Sequence, residues 1–409
     1  MRVLMVSWEY PPHVVGGMGK HVYDLAPALA AAGVEVHVLT PLLRGGAARE
    51  VTPEGVTIHR VEPPHMEDYG FVTFAVETSN VLEQAAHALY AEFQTFDLIH
   101  AHDWLASTAA VALKHAWRCP LVATIHATER GRGQGYLISD GHSERINQME
   151  WGLTYEAWRV IACSRFMAHQ IHDYFSTPLD KIDVVPNGIY VRPDPFASDE
   201  QRRAFRLRFV EHDQPLVYYV GRIVYEKGLH VLLDAWPRVL AGLPRARLLI
   251  AGAGGYLPAL MQRAEELGIA TQVTFAGFIP DDERDKLYHA ADVAVFPSLY
   301  EPFGIVALEA MAADCPVVVA ATGGLAEVVT AHETGLTVQP NDPAALAWGI
   351  LHALQHPDWS HARAQNAFRA ARDSFNWHTI ASATAEVYAR TYNEWRKSSW
   401  GQHKEPQEA

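Results

Sequence analysis

The feature that most constrains the fold of this chain is a regular alternation of short apolar runs with amphipathic stretches of helical period. In the first half, the apolar runs lie at residues 3–7, 34–39, 56–61, 98–101, 121–125, 160–162 and 182–185. The stretch at residues 21–31 carries its apolar side chains on one face and ends before Gly33, as an amphipathic helix does. Strands that alternate with helices predict a parallel sheet covered by helices on both faces.

The same pattern starts again in the second half, with apolar runs at residues 216–220, 247–251, 273–276, 293–296, 317–320 and 335–338. Residues 187–215 separate the two series and contain several prolines and a charged run, which makes this segment the best candidate for a hinge. A chain of 409 residues is long enough for two domains. The sequence therefore predicts an α/β protein with two domains, each built on a parallel sheet.

Composition and charge argue against several classes of protein. The chain is 49% hydrophobic and carries a net charge of −14, whereas nucleic-acid-binding domains are usually basic. Its three cysteines lie far apart and form no C-x-x-C pair, so we expect neither a disulfide framework nor a cysteine-based zinc site. No apolar run approaches the ~18 residues of a membrane-spanning helix, and residues 1–7 lack a secretory signal pattern. We expect a cytoplasmic protein with no membrane span and no nucleic-acid partner.

The segment after the fourth apolar run of the second half carries two acids around the start of an apolar helix. Glu309 follows Glu301 by eight residues, and eight residues of helix rise about 12 Å. That separation is too large for an acid and a nucleophile flanking one bond, so we expect the two acids to touch different parts of one long ligand. Between them, the backbone N–H groups of Phe303, Gly304 and Ile305 can face a phosphate. The simpler alternative is an acid countering a helix dipole, followed by a solvated glutamate.

This segment resembles a known family. The letters E-P-F-G-x-x-x-L-E, followed by T-G-G-L-A-E at residues 322–327, are similar to the E-x7-E motif of retaining glycosyltransferases of the GT-B type, and most similar to bacterial glycogen and starch synthases. The resemblance covers residues 1 to about 395 and implies two Rossmann-like domains facing each other across a cleft. It also implies that the last helix returns to the first domain. The expected domains are residues 1–190 with 376–395, then 191–375, followed by a polar, frayed tail at 396–409.

A second motif, G-R-I-V-Y-E-K-G, follows the apolar run at 216–220 and matches the G-R-x-x-x-x-K-G of the same family. Arg222 can place its guanidinium fork on phosphate oxygens, and Lys227 adds a point charge. The resemblance implies that both hold the diphosphate of a sugar nucleotide, on which negative charge grows in the transition state. Since no D-x-D pair for a divalent metal occurs, we expect two fixed cations to replace a metal, and no cofactor. The simpler alternative is that Arg222 and Lys227 are two basic side chains at the surface after a strand, with no ligand to bind.

Two glycine clusters follow strands. In the first, Gly16, Gly17 and Gly19 open the first helix, where backbone N–H groups can cradle a diphosphate. The cluster differs from the G-x-G-x-x-G of a dinucleotide-binding fold, and no acid ends the second strand. Val14 stands where bacterial glycogen and starch synthases carry a lysine, which points to the broader branch of glycogen-synthase-like enzymes. The second cluster, at residues 252–255, is either a tight turn or a donor contact.

Histidines follow two further strands. The sequence H-A-H-D-W at residues 100–104 matches the glycogen synthase pattern, in which His102, Asp103 and Trp104 line the cleft. Trp104 offers a flat face for stacking on a sugar, and a buried core tryptophan is nearly as good an interpretation. A metal site at the His-x-His pair is discounted because no third ligand is evident nearby. By resemblance, His126 hydrogen-bonds the transferred sugar, and residues 127–141 form a mobile loop over the cleft.

Together with the resemblance, these residues predict transfer of glucose from a nucleotide diphosphate glucose to an α-glucan, through an α-1,4 link with retained configuration. ADP-glucose is favoured over UDP-glucose as the donor. Glu301 is expected at the sugar and, by resemblance, Glu309 at the ribose. The alternatives within the fold are a small acceptor, as in maltose-1-phosphate, sucrose or trehalose synthesis, and a lipid. A non-catalytic sugar-nucleotide-binding regulator is the alternative from another class, and the joint presence of the sugar and diphosphate residues argues against it.

Overall fold

The computed structural model describes residues 1–211 and 213–402. The chain divides into two compact units. The first comprises Met1–Gly188 and the chain from Trp377 onward, and the second comprises Ile189–Asn376. Each unit is built on its own sheet.

The sheet of the first unit has eight strands in the order β3-β4-β2-β1-β5-β6-β7-β8. All neighbours are parallel except β3, which pairs antiparallel with β4. The short edge strand β3 was not predicted, because three residues with two charges among them carry no apolar pattern. The strands are β1 Arg2–Val6, β2 Glu35–Pro41, β3 Arg49–Val51, β4 Thr57–Val61, β5 Leu98–His102, β6 Leu121–Ile125, β7 Arg159–Ala162 and β8 Ile182–Val184.

Helices connect these strands as the amphipathic pattern predicted. The first helix begins at Gly17, four residues before the predicted start, so that the first glycine cluster lies at its N-terminus. Gly33 follows its end with a φ of +85°, a left-handed conformation that favours glycine. The helices up to the end of β8 are α1 Gly17–Ala31, α2 Phe71–Phe93, α3 Ser107–Trp117, α4 Glu129–Arg132, α5 His142–Glu156 and α6 Arg165–Phe175.

The second unit contains a fully parallel six-stranded sheet in the order β11-β10-β9-β12-β13-β14. Its strands are β9 Leu216–Val220, β10 Arg247–Ala251, β11 Val273–Gly277, β12 Val293–Phe296, β13 Val317–Ala320 and β14 Leu336–Val338. Its helices are α7 Asp199–Arg206, α8 Leu229–Gly242, α9 Leu257–Glu266, α10 Asp281–Ala290, α11 Ile305–Ala312, α12 Leu325–Val328, α13 Pro343–Gln355 and α14 Pro357–Ser374.

The segment predicted as a hinge, residues 187–215, is mostly an integral part of the second unit. It contains α7, and Arg206 at the end of α7 donates hydrogen bonds to the carbonyl of Ala290 and to the carboxylate of Asp292, each at 2.5 Å. The chain passes from the first unit to the second between Gly188 and Ile189, within this segment, whereas its charged run folds onto the end of α10 and the residue before β12.

The last helices return to the first unit. They are α15 Trp377–Lys397 and α16 Ser399–Gln402. Five buried side chains of α15 share an apolar cluster with α1, β1 and β2, namely Trp377, Ile380, Ala381, Val387 and Tyr388. The predicted tail, 396–409, is helical at 396–397 and 399–402, and residues 403–409 lie outside the described part of the chain. No helix in the described ranges has the length and apolar character needed to cross a bilayer.

In both sheets, the strand order reverses at one point, between β1 and β5 in the first unit and between β9 and β12 in the second. Ligands of open α/β sheets bind outside the carboxyl ends of the strands at such a point. The loops that follow these strands are therefore where a functional site is expected. They carry most of the residues that the sequence singled out.

Candidate functional site

In the second unit, the loops after β9 and β12 are joined by a largely buried ion pair. The Nζ of Lys227 lies 2.7 Å from Oε2 of Glu301, and these side chains are only 16% and 10% exposed. The Oγ of Ser298 donates to the same carboxylate oxygen at 3.2 Å. A Cβ on Gly228 would lie 2.0 Å from the carbonyl oxygen of Pro297, so the two loops can approach this closely only with glycine there. The two motifs found in the sequence thus form one structural feature.

Glu301 lies in the loop before α11, and the helix begins only at Ile305 with Gly304 as its N-cap. The predicted rise of about 12 Å between the two acids assumed a helix throughout, so that part of the argument was wrong. The first N–H groups of a helix have no intrahelical acceptor, which leaves those near Gly304 able to receive an anion.

The T-G-G-L-A-E segment supports the same loop. The N–H of Gly324 donates to the carbonyl of Glu301 at 2.8 Å. A Cβ on Gly324 would lie 2.3 Å from the carbonyl oxygen of Pro302 and 2.4 Å from the Cα of Phe303. Glycine at this position is therefore a packing requirement, and it holds the Glu301 loop against the start of α12.

Glu309 is buried on α11 and has partners different from those of Glu301. The hydroxyl of Tyr288 donates to its Oε2 at 3.2 Å, and the guanidinium of Arg284 lies 3.6 Å from its Oε1. Burial, together with the charge of Glu309, raises the pKa of Tyr288 well above its ordinary value, so the hydroxyl keeps its proton. Neither Arg284 nor Tyr288 was predicted from the sequence as a site residue. Their i, i+4 spacing on α10 was the available signal.

Arg222 differs from Lys227 in its surroundings. Its side chain is 47% exposed, and its only described ionic neighbour is Glu226 at 3.5 Å. Lys227 is thus held in place by Glu301, whereas Arg222 remains accessible to a ligand from solvent. The second glycine cluster packs behind this loop, since a Cβ on Gly252 would lie 1.8 Å from the carbonyl oxygen of Gly221. This close approach is what the tight-turn interpretation requires.

In the first unit, the glycine cluster containing Gly17 lies beside a buried acid. Oε2 of Glu9 accepts hydrogen bonds from the N–H groups of Val15 at 2.8 Å and Gly16 at 3.0 Å. A Cβ on Gly19 would lie 2.7 Å from the same oxygen. One amide of the cluster expected to cradle a phosphate, that of Gly16, is therefore already bound to a carboxylate in this structure, as is the amide of Val15 before it.

The H-A-H-D-W loop begins at the carboxyl end of β5. Asp103, with a φ of +59°, accepts a hydrogen bond from the backbone N–H of His126 at 2.7 Å and so fixes the loop after β6. Burial raises the pKa of Asp103 to about 6. Trp104 is buried among Trp8 and Phe74, a placement that favours the core interpretation over stacking on a sugar.

Three histidines of the first unit lie together, which the sequence did not predict. Nδ1 of His102 is 3.1 Å from Nε2 of His126, and the ring of His21 from α1 is centred 4.8 Å from the ring of His126. Burial lowers the pKa of His21 and of His126 to about 3, so these imidazoles are neutral. The expectation that no third ligand lies near His102 is therefore wrong. The signal for His21 was its position early in the helix after β1, at the same sheet edge as the ends of β5 and β6.

The segment predicted as a mobile loop, residues 127–141, is partly anchored. Its first part forms α4, and the backbone N–H of Glu129 donates to both oxygens of Glu150 at 2.9 and 3.0 Å. Burial raises the pKa of Glu150 to about 8. Beyond α4, Tyr136 and Ile138 are strongly exposed.

The proton on Glu150 makes the stability of the protein depend on pH. The folded protein holds this proton up to about pH 8, whereas the unfolded chain releases it near the ordinary value of 4.5. Raising the pH between these values therefore favours unfolding, by about 1.4 kcal/mol for each pH unit at most. We expect the thermal unfolding midpoint of the wild type to fall over this range more steeply than that of Glu150→Gln. Exposed Glu386→Gln is the control and should follow the wild type; parallel curves for Glu150→Gln and wild type would contradict the argument.

Comparisons with known proteins agree with this architecture. A family model described as Glycosyltransferase Family 4 matches residues 15–192, and one described as Glycosyl transferases group 1 matches residues 201–370. The glycogen synthase of Mycobacterium tuberculosis is 38% identical over 401 residues, which are 95% of this chain and 94% of that protein. A D-inositol 3-phosphate glycosyltransferase of Frankia alni is 33% identical over 394 residues, 92% of this chain and 94% of the other. Among solved structures, sucrose-phosphate synthase from Thermosynechococcus elongatus matches with a TM-score of 0.83 at 28% identity, covering 96% of this chain and 99% of that one.

Proposed function

Because the chain belongs to the GT-B glycosyltransferases of the family 4 type, we propose that it transfers glucose from a nucleotide diphosphate glucose to an α-glucan, forming an α-1,4 link with retained configuration. The observation that carries the proposal is the buried pair between Lys227 and Glu301 beside the N-terminus of α11. A fixed cation, a fixed carboxylate and free helix N–H groups at one sheet edge suit a ligand with a diphosphate next to a sugar.

Each group at this edge has a proposed role. Lys227 and Arg222 neutralise charge that grows on the departing diphosphate, and the N–H groups of Phe303, Gly304 and Ile305 receive phosphate oxygens. Glu301, held by Lys227, balances positive charge that develops on the sugar ring.

Glu309 is proposed to receive the ribose hydroxyls of the donor. The hydroxyl of Tyr288 and the guanidinium of Arg284 hold its carboxylate. A carboxylate that is already oriented loses less conformational entropy when it accepts the hydroxyl hydrogens.

In the first unit, His126 is proposed to hydrogen-bond the transferred sugar. A neutral imidazole suits this role, because it can donate or accept without adding charge near a developing cation. Asp103 would act as a positioning residue, since it holds the backbone of His126. Gly17 is proposed to face the donor, and His102 is proposed to face the acceptor.

The acceptor and the nucleotide are the finer part of the proposal. Similarity to a glycogen synthase supports an α-glucan as the acceptor. ADP-glucose, rather than UDP-glucose, is proposed as the donor. A small acceptor is the second candidate, since one relative is named for D-inositol 3-phosphate and one similar structure is a sucrose-phosphate synthase.

A nucleotide-release assay tests both parts. ADP- or UDP-glucose is supplied with glycogen, maltose, glucose-1-phosphate, D-inositol 3-phosphate or water, and the freed nucleoside diphosphate is measured. We expect the fastest release from ADP-glucose with glycogen, and the same rate in EDTA because two protein cations stand where a metal would otherwise act. Faster release with a phosphorylated small acceptor would select the second candidate. Loss of activity in EDTA that Mg²⁺ or Mn²⁺ restores would overturn the metal-independent proposal.

A further inference from the structure

Three histidines of the first unit converge on one point, and we propose that they bind a single transition-metal ion of the zinc class. His21 comes from α1, His102 ends β5, and His126 follows β6. One nitrogen from each lies within 4.8 Å of the other two, and no other group of three potential ligands occurs in residues 1–211 and 213–402. Ligand nitrogens on one tetrahedral zinc ion lie about 3.3 Å apart, so small side-chain rotations would close the site.

The hydrogen bonding of His21 leaves one nitrogen prepared for a metal. Its Nδ1 lies 2.6 Å from the amide oxygen of Asn187, which can only accept, so Nδ1 carries the proton and Nε2 carries a lone pair. That Nε2 is buried without a hydrogen-bond partner, in a residue only 4% exposed. Histidines that bind metals usually donate their other ring N–H to an oxygen in this way.

His102 contributes a second unsatisfied group. Its Nδ1 lies 3.1 Å from Nε2 of His126, and its own Nε2 is fully buried with no partner. Buried polar atoms without partners are rare and commonly mark an absent water or ion. A separation of 3.1 Å fits two ligands of one ion, and it also fits a single N–H···N hydrogen bond between the rings.

Neighbouring polar groups define the composition of the site. Both nitrogens of His100 are occupied, by the hydroxyls of Tyr388 at 2.6 Å and Thr124 at 2.7 Å, so His100 is not a ligand. Asp103 accepts from the backbone of His126. Three neutral imidazoles with no carboxylate favour Zn²⁺, Co²⁺, Ni²⁺ or Cu²⁺ over Mg²⁺ and Ca²⁺, with water completing the coordination.

The site has a consequence that rests on the proposed function. If His126 hydrogen-bonds the transferred sugar, a metal on its Nε2 removes that contact. Zn²⁺ would then inhibit transfer reversibly, and EDTA would restore it. The ion acts as an inhibitor in this account, in agreement with transfer that needs no metal.

The test is a Co²⁺ titration of the full-length chain without an affinity tag, after treatment with a chelator, followed by the visible absorption of the ion. We expect one equivalent bound with the intense spectrum of four- or five-coordinate cobalt, and displacement by Zn²⁺. His21→Gln and His102→Gln should abolish this spectrum. Asn187→Ala should weaken binding about 10–100-fold, the usual effect of losing a partner that orients a ligand.

Two controls separate this site from surface binding. His169 is exposed on α6, and His169→Gln should leave the titration unchanged. His352 and His356 in the second unit have rings centred 4.6 Å apart, so the titration is repeated with both changed to Gln, and the spectrum should persist. Folding of every variant is checked by circular dichroism, and Zn²⁺ should raise the unfolding midpoint of the wild type but not of His21→Gln.

The outcomes are distinct. Absence of a stoichiometric cobalt spectrum, or its survival in both His21→Gln and His102→Gln, would overturn the metal site and leave an internal hydrogen bond between His102 and His126. If His102→Gln does not fold, His21→Gln and Asn187→Ala decide the question. Stoichiometric binding of Zn²⁺ without inhibition would keep the site and refute the proposed role of His126 at the sugar.

Discussion

Replacing Lys227 by alanine is expected to lower turnover about 10²–10³-fold, the usual cost of removing one preorganised electrostatic group from a transition state. The ammonium group lies 2.7 Å from Glu301 in a largely buried setting, where a charge is poorly screened. Binding of the donor should weaken less than turnover falls, because the negative charge on the diphosphate grows as the sugar departs. The turnover of Arg222→Ala should be lowered by a factor in the same range.

The experiment compares steady-state turnover with calorimetric affinity for the nucleoside diphosphate. Lys286→Ala, which changes a partly exposed lysine of α10 that pairs with Asp282, is the control and should retain wild-type turnover. Near-normal turnover in Lys227→Ala would refute the diphosphate assignment. A double variant with Glu301→Gln tests the pair itself: since each side chain holds the other, the combined loss should be smaller than the product of the two single losses.

The second large effect is a division of roles between the two acids. Glu301→Gln is expected to lower turnover strongly while donor affinity changes little, because the lost interaction grows as positive charge develops on the sugar ring. Glu309→Gln is expected chiefly to weaken binding of the donor and of the free nucleoside diphosphate. The structure supports separate roles, since Glu301 is held by Lys227 and Ser298, whereas Glu309 is held by Tyr288 and Arg284.

This division of roles is tested by measuring turnover, and calorimetric affinity for ADP and UDP, on Glu301→Gln and Glu309→Gln. Tyr288→Phe is a useful companion, because it removes the hydroxyl that lies 3.2 Å from Oε2 of Glu309 and 3.1 Å from the carbonyl oxygen of Val306. It should resemble Glu309→Gln in a milder form. If Glu301→Gln instead controlled nucleotide affinity while Glu309→Gln controlled turnover, the assignment of roles would fail, although the chain would still belong to its family.

The class of fold followed from local pattern. Apolar runs at 216–220, 247–251, 293–296 and 317–320 coincide with β9, β10, β12 and β13, because the burial of a parallel strand on both faces requires a continuous apolar run. The GT-B class, which the resemblance to the family implied, agrees with the two largely parallel sheets and is confirmed by the similarity to sucrose-phosphate synthase. Motif spacing also identified the loops after β9 and β12, since strand ends and glycines are local properties of the chain.

Tertiary structure alone decided which of these residues meet. Lys227 and Glu301 are 74 residues apart, and they pair because β9 and β12 are neighbours although β10 and β11 intervene in the chain. His21 reaches His102 and His126 because β1 lies beside β5 and β5 beside β6. Periodicity predicts that a strand is buried without predicting its neighbours. Strand order depends on the packing of the whole sheet, so the sequence determined the elements and their chemistry, and the sheet order determined the partners.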